Sequence, residues 1–290
     1  MRVSDHDWRR WLSSHDSPLK RVVPYSWRPL LRRYGLLVID SVEAAVKRKP
    51  SPVPPRHLDN IGGSYIKIGQ EFLSYFIKFG RLQTSDAVLD IGCGLGRMAY
   101  ALTGYLSDAA SYEGFDIVPE SIQWCQQRIT PTHPNFHFQL CDIQNPYYRS
   151  TTGVAASEYV FPWPEGAFDF AFATSVFTHM YPRDVAHYVS EAARVLRPGG
   201  RLLATYLLIN DQVERLAASK AKNLAKFKVR TPEYWAVSAS APEALIALPE
   251  AWMREVASGC GLRVTDVHYG AWAGRQDYLS AQDIVVFSKE

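Results

Sequence analysis

The stretch Asp86-Ala87-Val88-Leu89-Asp90-Ile91-Gly92-Cys93-Gly94-Leu95-Gly96-Arg97-Met98-Ala99 decides how this chain is read. Val88, Leu89 and Ile91 form a short apolar run that stops at three glycines spaced two apart. Leu95, Met98, Ala99, Leu102 and Leu106 then recur at helical spacing. The pattern is strand, tight turn, helix. Glycine lets backbone approach a ligand, because no Cβ intervenes and positive φ is cheap. The helix N-terminus beyond the turn offers free N–H groups and a partial positive charge.

A dinucleotide fingerprint would need G-x-G-x-x-G, with its third glycine at the place of Arg97. Here the third glycine is Gly96, and an acid, Asp90, lies just inside the turn. The string L-D-I-G-C-G-x-G resembles motif I of the class I S-adenosylmethionine-dependent methyltransferases. The resemblance implies that Asp90, Gly92, Cys93, Gly94 and Gly96 cradle the methionine half of that cofactor.

Further segments match in order. Tyr112 to Ile117 reads as a short strand ending in Asp116, 20 residues past Gly96. A carboxylate there can accept from both ribose hydroxyls, and the family places an acid at this point, with Ile117 beside it. Phe136 to Ile143 alternates like a strand and ends at Asp142. The resemblance assigns Asp142 and Ile143 to the adenine. Phe168 to Met180 begins as a buried strand and resembles the family's fourth strand, whose end borders the transferring methyl group. Ser175 and His179 stand there. Arg194 to Leu202, R-V-L-R-P-G-G-R-L, is typical of the family at this distance.

The expected fold is therefore α/β: a Rossmann-like, doubly wound, mostly parallel seven-stranded sheet with an antiparallel last strand, preceded by an N-terminal helical arm. Residues 1–57 read as a basic helical arm and proline-rich linker, and residues 58–290 as the methyltransferase domain. Residues 211–260 are read as partly a lid or insertion. Val185 to Leu196 is read as a helix closed by Arg197-Pro198-Gly199-Gly200, and Val213 to Phe227 as a basic helix. The resemblance implies that the segment ahead of motif I closes over the cofactor's methionine end, through Tyr65 and Lys67; the alternative is a plain packing helix.

The chain has 290 residues, 47% hydrophobic and 21% charged, which are ordinary globular values. No run reaches the roughly 18–20 apolar residues of a membrane span, and the first 20 residues carry no apolar core of a signal peptide. A cytoplasmic protein, at most peripheral to the inner membrane face, is expected. Cys93, Cys125, Cys141 and Cys260 form no C-x-x-C, and no metal is expected. Residues 1–60 hold 12 basic and 6 acidic residues, so the net charge of +3 comes from the arm, and the rest is slightly acidic. That argues against a nucleic-acid partner. The arm suits an anionic membrane surface or a glycan-assembly partner; the alternative is a helical arm that packs on its own domain or on a homodimer mate.

A hydroxyl is a weak nucleophile and profits from a general base. His179 is the expected base; the alternative is a cap on the following helix. Trp272 and Arg275, in the glycine-framed loop Gly270 to Tyr278, can stack on and hydrogen-bond an acceptor. Three functions remain open. The first is O-methylation of a sugar hydroxyl in a glycan or glycolipid. The second is methylation of a small aromatic or polyketide metabolite. The third is a cofactor-binding scaffold without catalysis.

Overall fold

A computed structural model describes residues 36–37, 53–55, 57–58, 62–145, 153–219 and 221–290. The basic arm, apart from its few described residues, lies outside them. Contacts divide the chain into Met1–Gly63 and Ser64–Glu290. Among the described residues no helix is long and apolar enough to cross a membrane.

The larger unit begins with helix α1 (Tyr65–Lys78). Gly62 and Gly63 both have positive φ, and the Ser64 hydroxyl then caps the helix by accepting from Lys67 N–H at 3.3 Å. The buried face of α1 stacks Phe76 against Phe172, with ring centroids 4.4 Å apart. Then come β1 (Ala87–Ile91), α2 (Arg97–Leu102), β2 (Ser111–Asp116), α3 (Pro119–Arg128) and β3 (Phe136–Leu140). Two short strands, β4 (Ile143–Gln144) and β5 (Val154–Ala155), pair in parallel. They are followed by β6 (Phe168–Ala173), α4 (Pro182–Val195), β7 (Leu196–Tyr206) and β8 (Leu208–Ile209). Helix α5 (Asp211–Ala218) leads into β9 (Val229–Arg230), β10 (Trp235–Ala236) and β11 (Ile246–Pro249). The chain ends with α6 (Glu250–Gly259), β12 (Leu262–His268) and β13 (Asp283–Lys289).

The main sheet has the order β12-β13-β7-β6-β1-β2-β3. Only β13 runs antiparallel to its neighbours. In β6, Phe-Asp-Phe-Ala-Phe-Ala is buried at every position but Asp169, as a central parallel strand covered on both faces must be. The exception is used: Asp169 accepts from Ala87 N–H at 2.8 Å and pairs with Arg197.

The Arg-Pro-Gly-Gly segment does not close α4. The helix ends at Val195, and Leu196 is already extended, paired with Phe168 across a register shift. Gly199 takes its positive φ inside that irregularity. The helix expected over 213–227 stops at Ala218. The lid expected beyond it is a small four-stranded sheet, β8-β11-β10-β9. Val213, Leu224, Phe227 and Trp235 form its own apolar core.

Chain order turns between β1 and β6. From β1 the sheet grows outward through β2 and β3, and from β6 it grows the other way. Such a switch point leaves a crevice beyond the carboxyl ends of the strands. The glycine turn after β1 and the turn after β6 are its two walls.

Candidate active site

The glycine turn is built from three left-handed residues, Gly92 (φ 77°), Gly94 (φ 51°) and Gly96 (φ 74°). Gly92 and Cys93 N–H both donate to the Phe115 carbonyl at 3.0 Å, which ties the turn to β2. The three positions differ in what surrounds them. A Cβ on Gly92 would lie 2.5 Å from Val176 Cγ2, and one on Gly96 would lie 2.8 Å from Cys125 Sγ. A Cβ on Gly94 would meet nothing within 4 Å, so this glycine faces open space. Cys93 is buried behind the turn, and burial pushes its thiol well up. Tyr65 Oη donates to the Leu95 carbonyl at 3.0 Å, so the segment ahead of β1 braces the turn; Lys67 is exposed.

Asp90 is 1% exposed. Its Oδ2 accepts from Tyr112 Oη at 2.5 Å, while Oδ1 has no hydrogen-bond partner. Burial raises its pKa to about 8; the Tyr112 hydroxyl opposes that rise and the nearby Asp116 adds to it. Asp116 Oδ2 accepts from Gly94 N–H at 2.8 Å and Oδ1 from Val118 N–H at 2.9 Å. Burial raises its pKa as well, against backbone hydrogen bonds that lower it. The N–H of Ile117, which follows directly, bonds the same carboxyl group. The expected ribose acid therefore also organises the glycine turn.

Asp142 is exposed, and its carbonyl accepts from Val154 N–H at 3.0 Å. Ile143 is buried in the core, so any contact it makes with a ring in the crevice comes from its backbone. The crevice wall beyond β6 is strained. Ser175 has φ 59°, a rare conformation for a residue with a side chain, and its N–H donates to Thr205 Oγ1 at 2.7 Å. The next residue is Val176, the one pressed against Gly92. The two walls are thus in contact.

His179 lies at the end of a single 3₁₀ turn, Phe177–His179. Its Nδ1 is 2.8 Å from the Glu243 carbonyl. A carbonyl can only accept, so Nδ1 carries the proton and Nε2 the lone pair of the neutral ring. Burial lowers the pKa of His179, partly offset by that carbonyl, which favours the neutral form. Glu243 belongs to the strap that leads into β11, so the small sheet holds the imidazole. Beside it Tyr181 and Tyr234 pack edge to face, 5.7 Å between centroids.

Trp272 and Arg275 are not laid out as a stacking and gripping pair. Trp272 is 8% exposed; its Nε1–H donates to Asp283 Oδ2 at 2.7 Å and its ring packs on Phe227. Arg275 is buried too: Nη1 reaches Asp283 Oδ1 at 3.3 Å and the Gly270 carbonyl at 3.2 Å, and Nε donates to Gln212 Oε1 at 2.9 Å. Both side chains converge on Asp283, which also accepts from Leu208 and Gly270 N–H at 2.6 Å. Burial raises its pKa to about 6 against these hydrogen bonds. The indole is therefore spent on holding the β12–β13 loop.

Sequence reasoning missed Tyr112, Thr205 and the Glu243 carbonyl. Tyr112 meets Asp90 only through the parallel register of β1 and β2, in which Val88 faces Tyr112. Glu243 contributes a backbone atom, which no residue type announces.

Residues 89–204 match the family model of a methyltransferase domain. The chain is similar to the phthiotriol/phenolphthiotriol dimycocerosates methyltransferase 1 of Mycobacterium ulcerans (strain Agy99), 30% identical over 146 residues. That match covers 49% of this chain and 46% of the relative. It is 29% identical over 131 residues to the 27-O-demethylrifamycin SV methyltransferase of Amycolatopsis mediterranei (strain S699), covering 44% and 41%. It is 34% identical over 119 residues to a fatty-acid O-methyltransferase of Mycolicibacterium smegmatis (strain ATCC 700084 / mc(2)155), covering 41% and 36%. The match spans less than half the length of each relative. Among solved structures, a Pyrococcus horikoshii OT3 protein shares the fold with TM-score 0.54 at 16% identity, over 82% of this chain and 97% of that one. An S-adenosylmethionine-dependent methyltransferase from Mesorhizobium loti does so with TM-score 0.51 at 11% identity, over 76% and 98%.

Proposed function

From the match of residues 89–204 to a methyltransferase-domain model, we propose that the protein is an S-adenosylmethionine-dependent O-methyltransferase acting on a hydroxyl of a small metabolite of lipid or polyketide kind, with His179 as general base. The observation that carries this reading is the hydrogen bond from His179 Nδ1 to the Glu243 carbonyl, which leaves Nε2 as the basic nitrogen. The relatives that act on a rifamycin, on a fatty acid and on phthiotriol or phenolphthiotriol dimycocerosates support the acceptor class.

The residues of the crevice fit the cofactor. Asp90 Oδ1 is a buried carboxyl oxygen without a partner, and a cationic amino group beside it would favour the carboxylate form. The open space over Gly94 admits a ligand against the backbone. Asp116 ends β2 with a carboxyl group able to accept from the paired hydroxyls of a ribose, and Asp142 and Ile143 follow at the next strand end, on the adenine side. Ser175 begins the turn that ends at His179.

When bound, the sulfonium supplies an electrophilic methyl group and a good leaving thioether. The protein then has mainly to align the acceptor and remove its proton. His179 Nε2 takes the hydroxyl proton as the oxygen attacks, and the ring becomes an imidazolium. Its Nδ1–H stays bonded to the Glu243 carbonyl throughout, so that carbonyl stabilises the charge that develops. The proton passes from Nε2 to water after transfer.

A second reading is methylation of a sugar hydroxyl in a glycan or glycolipid; the observation on its side is a cavity beside the β12–β13 loop where Gln212, Gln276 and Asp277 stand among apolar side chains. The deciding experiment uses methyl-labelled S-adenosylmethionine with three acceptor pools: hydroxylated lipids, polyketides and glycosides. Label in the first or second pool, lost in His179→Ala, supports the proposal. Label confined to simple glycosides moves the reading to sugars. Tight cofactor binding without label in any pool sinks the catalytic reading and leaves a scaffold.

A further inference from the structure

Residues 215–230, Arg-Leu-Ala-Ala-Ser-Lys-Ala-Lys-Asn-Leu-Ala-Lys-Phe-Lys-Val-Arg, hold 6 basic residues and no acidic one. The rest of residues 61–290 holds 14 basic and 23 acidic residues, a net charge of −9. The stretch runs from the last turn of α5 to β9, the outermost strand of the small sheet.

The fold turns this stretch into a basic surface. Leu224 and Phe227 are buried in the core of the small sheet, while Lys222, Lys226 and Lys228 beside them are exposed. Arg230 lies over the Trp235 ring at 4.4 Å and donates from Nη2 to the Leu224 carbonyl at 3.1 Å. That bond folds residues 224–230 back on themselves and keeps their cations in one place. At the other end, Ala221 N–H donates to the Leu216 carbonyl at 3.0 Å, which turns the chain off α5 directly into Lys222.

The protein does not neutralise this charge. Elsewhere Arg183, Arg194, Arg197, Arg201, Arg254 and Arg263 each stand against a carboxylate. Among the described residues Arg215, Lys222, Lys226 and Lys228 form no ion pair. The nearest feature to Lys226 Nζ is the Phe227 ring, 5.5 Å away.

Charge gives the sign of the partner, and composition gives its kind. Four of the six cations are lysines, a residue depleted from protein interfaces, which favour Arg and aromatic side chains around an apolar core. Among the described residues of the stretch no large apolar side chain is exposed, so such a core is missing. Flexible, strongly hydrated ammonium groups suit many movable anions better than one fixed carboxylate. A layer of anionic headgroups is such a surface, and each Lys or Arg held near it strengthens binding about fivefold. The strap that leads into β11 of the same small sheet supplies the Glu243 carbonyl that holds His179, so the unit bearing the cations also orients the base.

We propose that the basic surface of residues 215–230 docks the protein on the anionic headgroups of a lipid bilayer, by charge attraction and without insertion. The choice of a bilayer over other polyanions rests on the reading of an acceptor of lipid kind.

The test is binding, which needs no turnover. The full-length protein is sedimented with vesicles of three parts phosphatidylcholine to one part phosphatidylglycerol, and with vesicles of phosphatidylcholine alone. Binding to the anionic vesicles only is expected. Raising sodium chloride from about 0.1 M to about 1 M cuts the screening length from about 10 Å to about 3 Å and should release the protein. Lys222→Gln, Lys226→Gln and Lys228→Gln, made together, should lower the partition coefficient at least tenfold and leave the melting temperature unchanged. Arginine at the same three positions should bind like the parent. Equal binding by parent and neutralised variant overturns the proposal and gives any docking to another surface, such as the basic residues 1–60. No vesicle binding by the parent overturns it outright. If the parent ignores vesicles but binds sodium polyglutamate or duplex DNA, and the neutralised variant loses that, a soluble polyanion replaces the bilayer. His179→Ala should bind vesicles like the parent. Absence of methyl transfer to every acceptor pool, with vesicle binding intact, sinks the O-methyltransferase reading and leaves the docking surface standing.

Discussion

His179 Nδ1 lies 2.8 Å from the carbonyl oxygen of Glu243, 64 residues away in sequence. One backbone atom of the strap that leads into β11 thereby chooses the tautomer of the imidazole in the turn after β6. Removing the ring should lower kcat by about 10²–10⁴ while cofactor affinity, measured by calorimetry, stays the same. The pH profile separates a base from a helix cap. Burial lowers the His179 pKa, so the neutral ring persists into mildly acidic solution. Activity should be lost only as pH falls below the ordinary histidine value, and an activity limb centred above pH 7 would point to another base.

Asp90 gives a pH effect of the opposite kind, read on the protein without cofactor. Its folded pKa is raised to about 8 from the 3.8 of a free side chain. The folded state therefore binds this proton more tightly than the unfolded state does. The stability it confers is complete below about pH 4 and is lost as pH climbs through about 8. Asp90→Asn, which cannot ionise, should gain in melting temperature relative to the parent between pH 5 and pH 8, and should bind S-adenosylmethionine about 1.5–3 kcal/mol more weakly. A melting-temperature difference that is flat across that range would show that Asp90 ionises normally.

Gly92 and Gly94 should fail in different ways. Both require positive φ, so alanine costs each about 1–2 kcal/mol. Gly92→Ala also drives a Cβ to 2.5 Å from Val176 Cγ2, a clash of the kind that adds about 1–3 kcal/mol. Gly94→Ala meets no protein atom within 4 Å and instead fills the open side of the turn. Denaturant melts should rank Gly92→Ala below Gly94→Ala in stability. Calorimetry at a temperature where both are folded should show Gly94→Ala losing at least tenfold in cofactor affinity. Equal stability of the two variants would mean that Val176 moves aside freely.

Asp283→Ala tests the loop that holds Trp272 and Arg275. It removes the acceptor of four donors and leaves the Arg275 charge buried and uncompensated. Breaking a buried pair in this way costs about 3–5 kcal/mol. Urea unfolding should show a loss of that size, with a smaller loss for Asp283→Asn, which keeps the shape. A loss under 1 kcal/mol would mean that water replaces the carboxylate.

The local signals of the fold were legible in the sequence because each is dictated by neighbours along the chain. Three glycines after an apolar run can only turn, and Pro119 and Pro182 at the first helical positions open α3 and α4. The six-residue run of β6, nearly all apolar, marks a strand buried on both faces. Asp90 and Asp116 could be singled out for the same reason, since each ends or interrupts such a run. Tertiary structure decided the rest. Trp272 and Arg275 read alike as ligand contacts until the pairing of β13 with β7 brings Asp283 beneath both. Arg-Pro-Gly-Gly reads as a helix stop until the pairing of Leu196 with Phe168 draws it into a strand. The sequence by itself determined which segments are strands, which turns need glycine and where carboxylates stand at strand ends, because these depend on local sterics and hydrophobic period. Only the folded chain decided which carboxyl oxygen is buried without a partner and which histidine nitrogen holds the proton. Those follow from hydrogen bonds between residues tens of positions apart, and no local pattern encodes them.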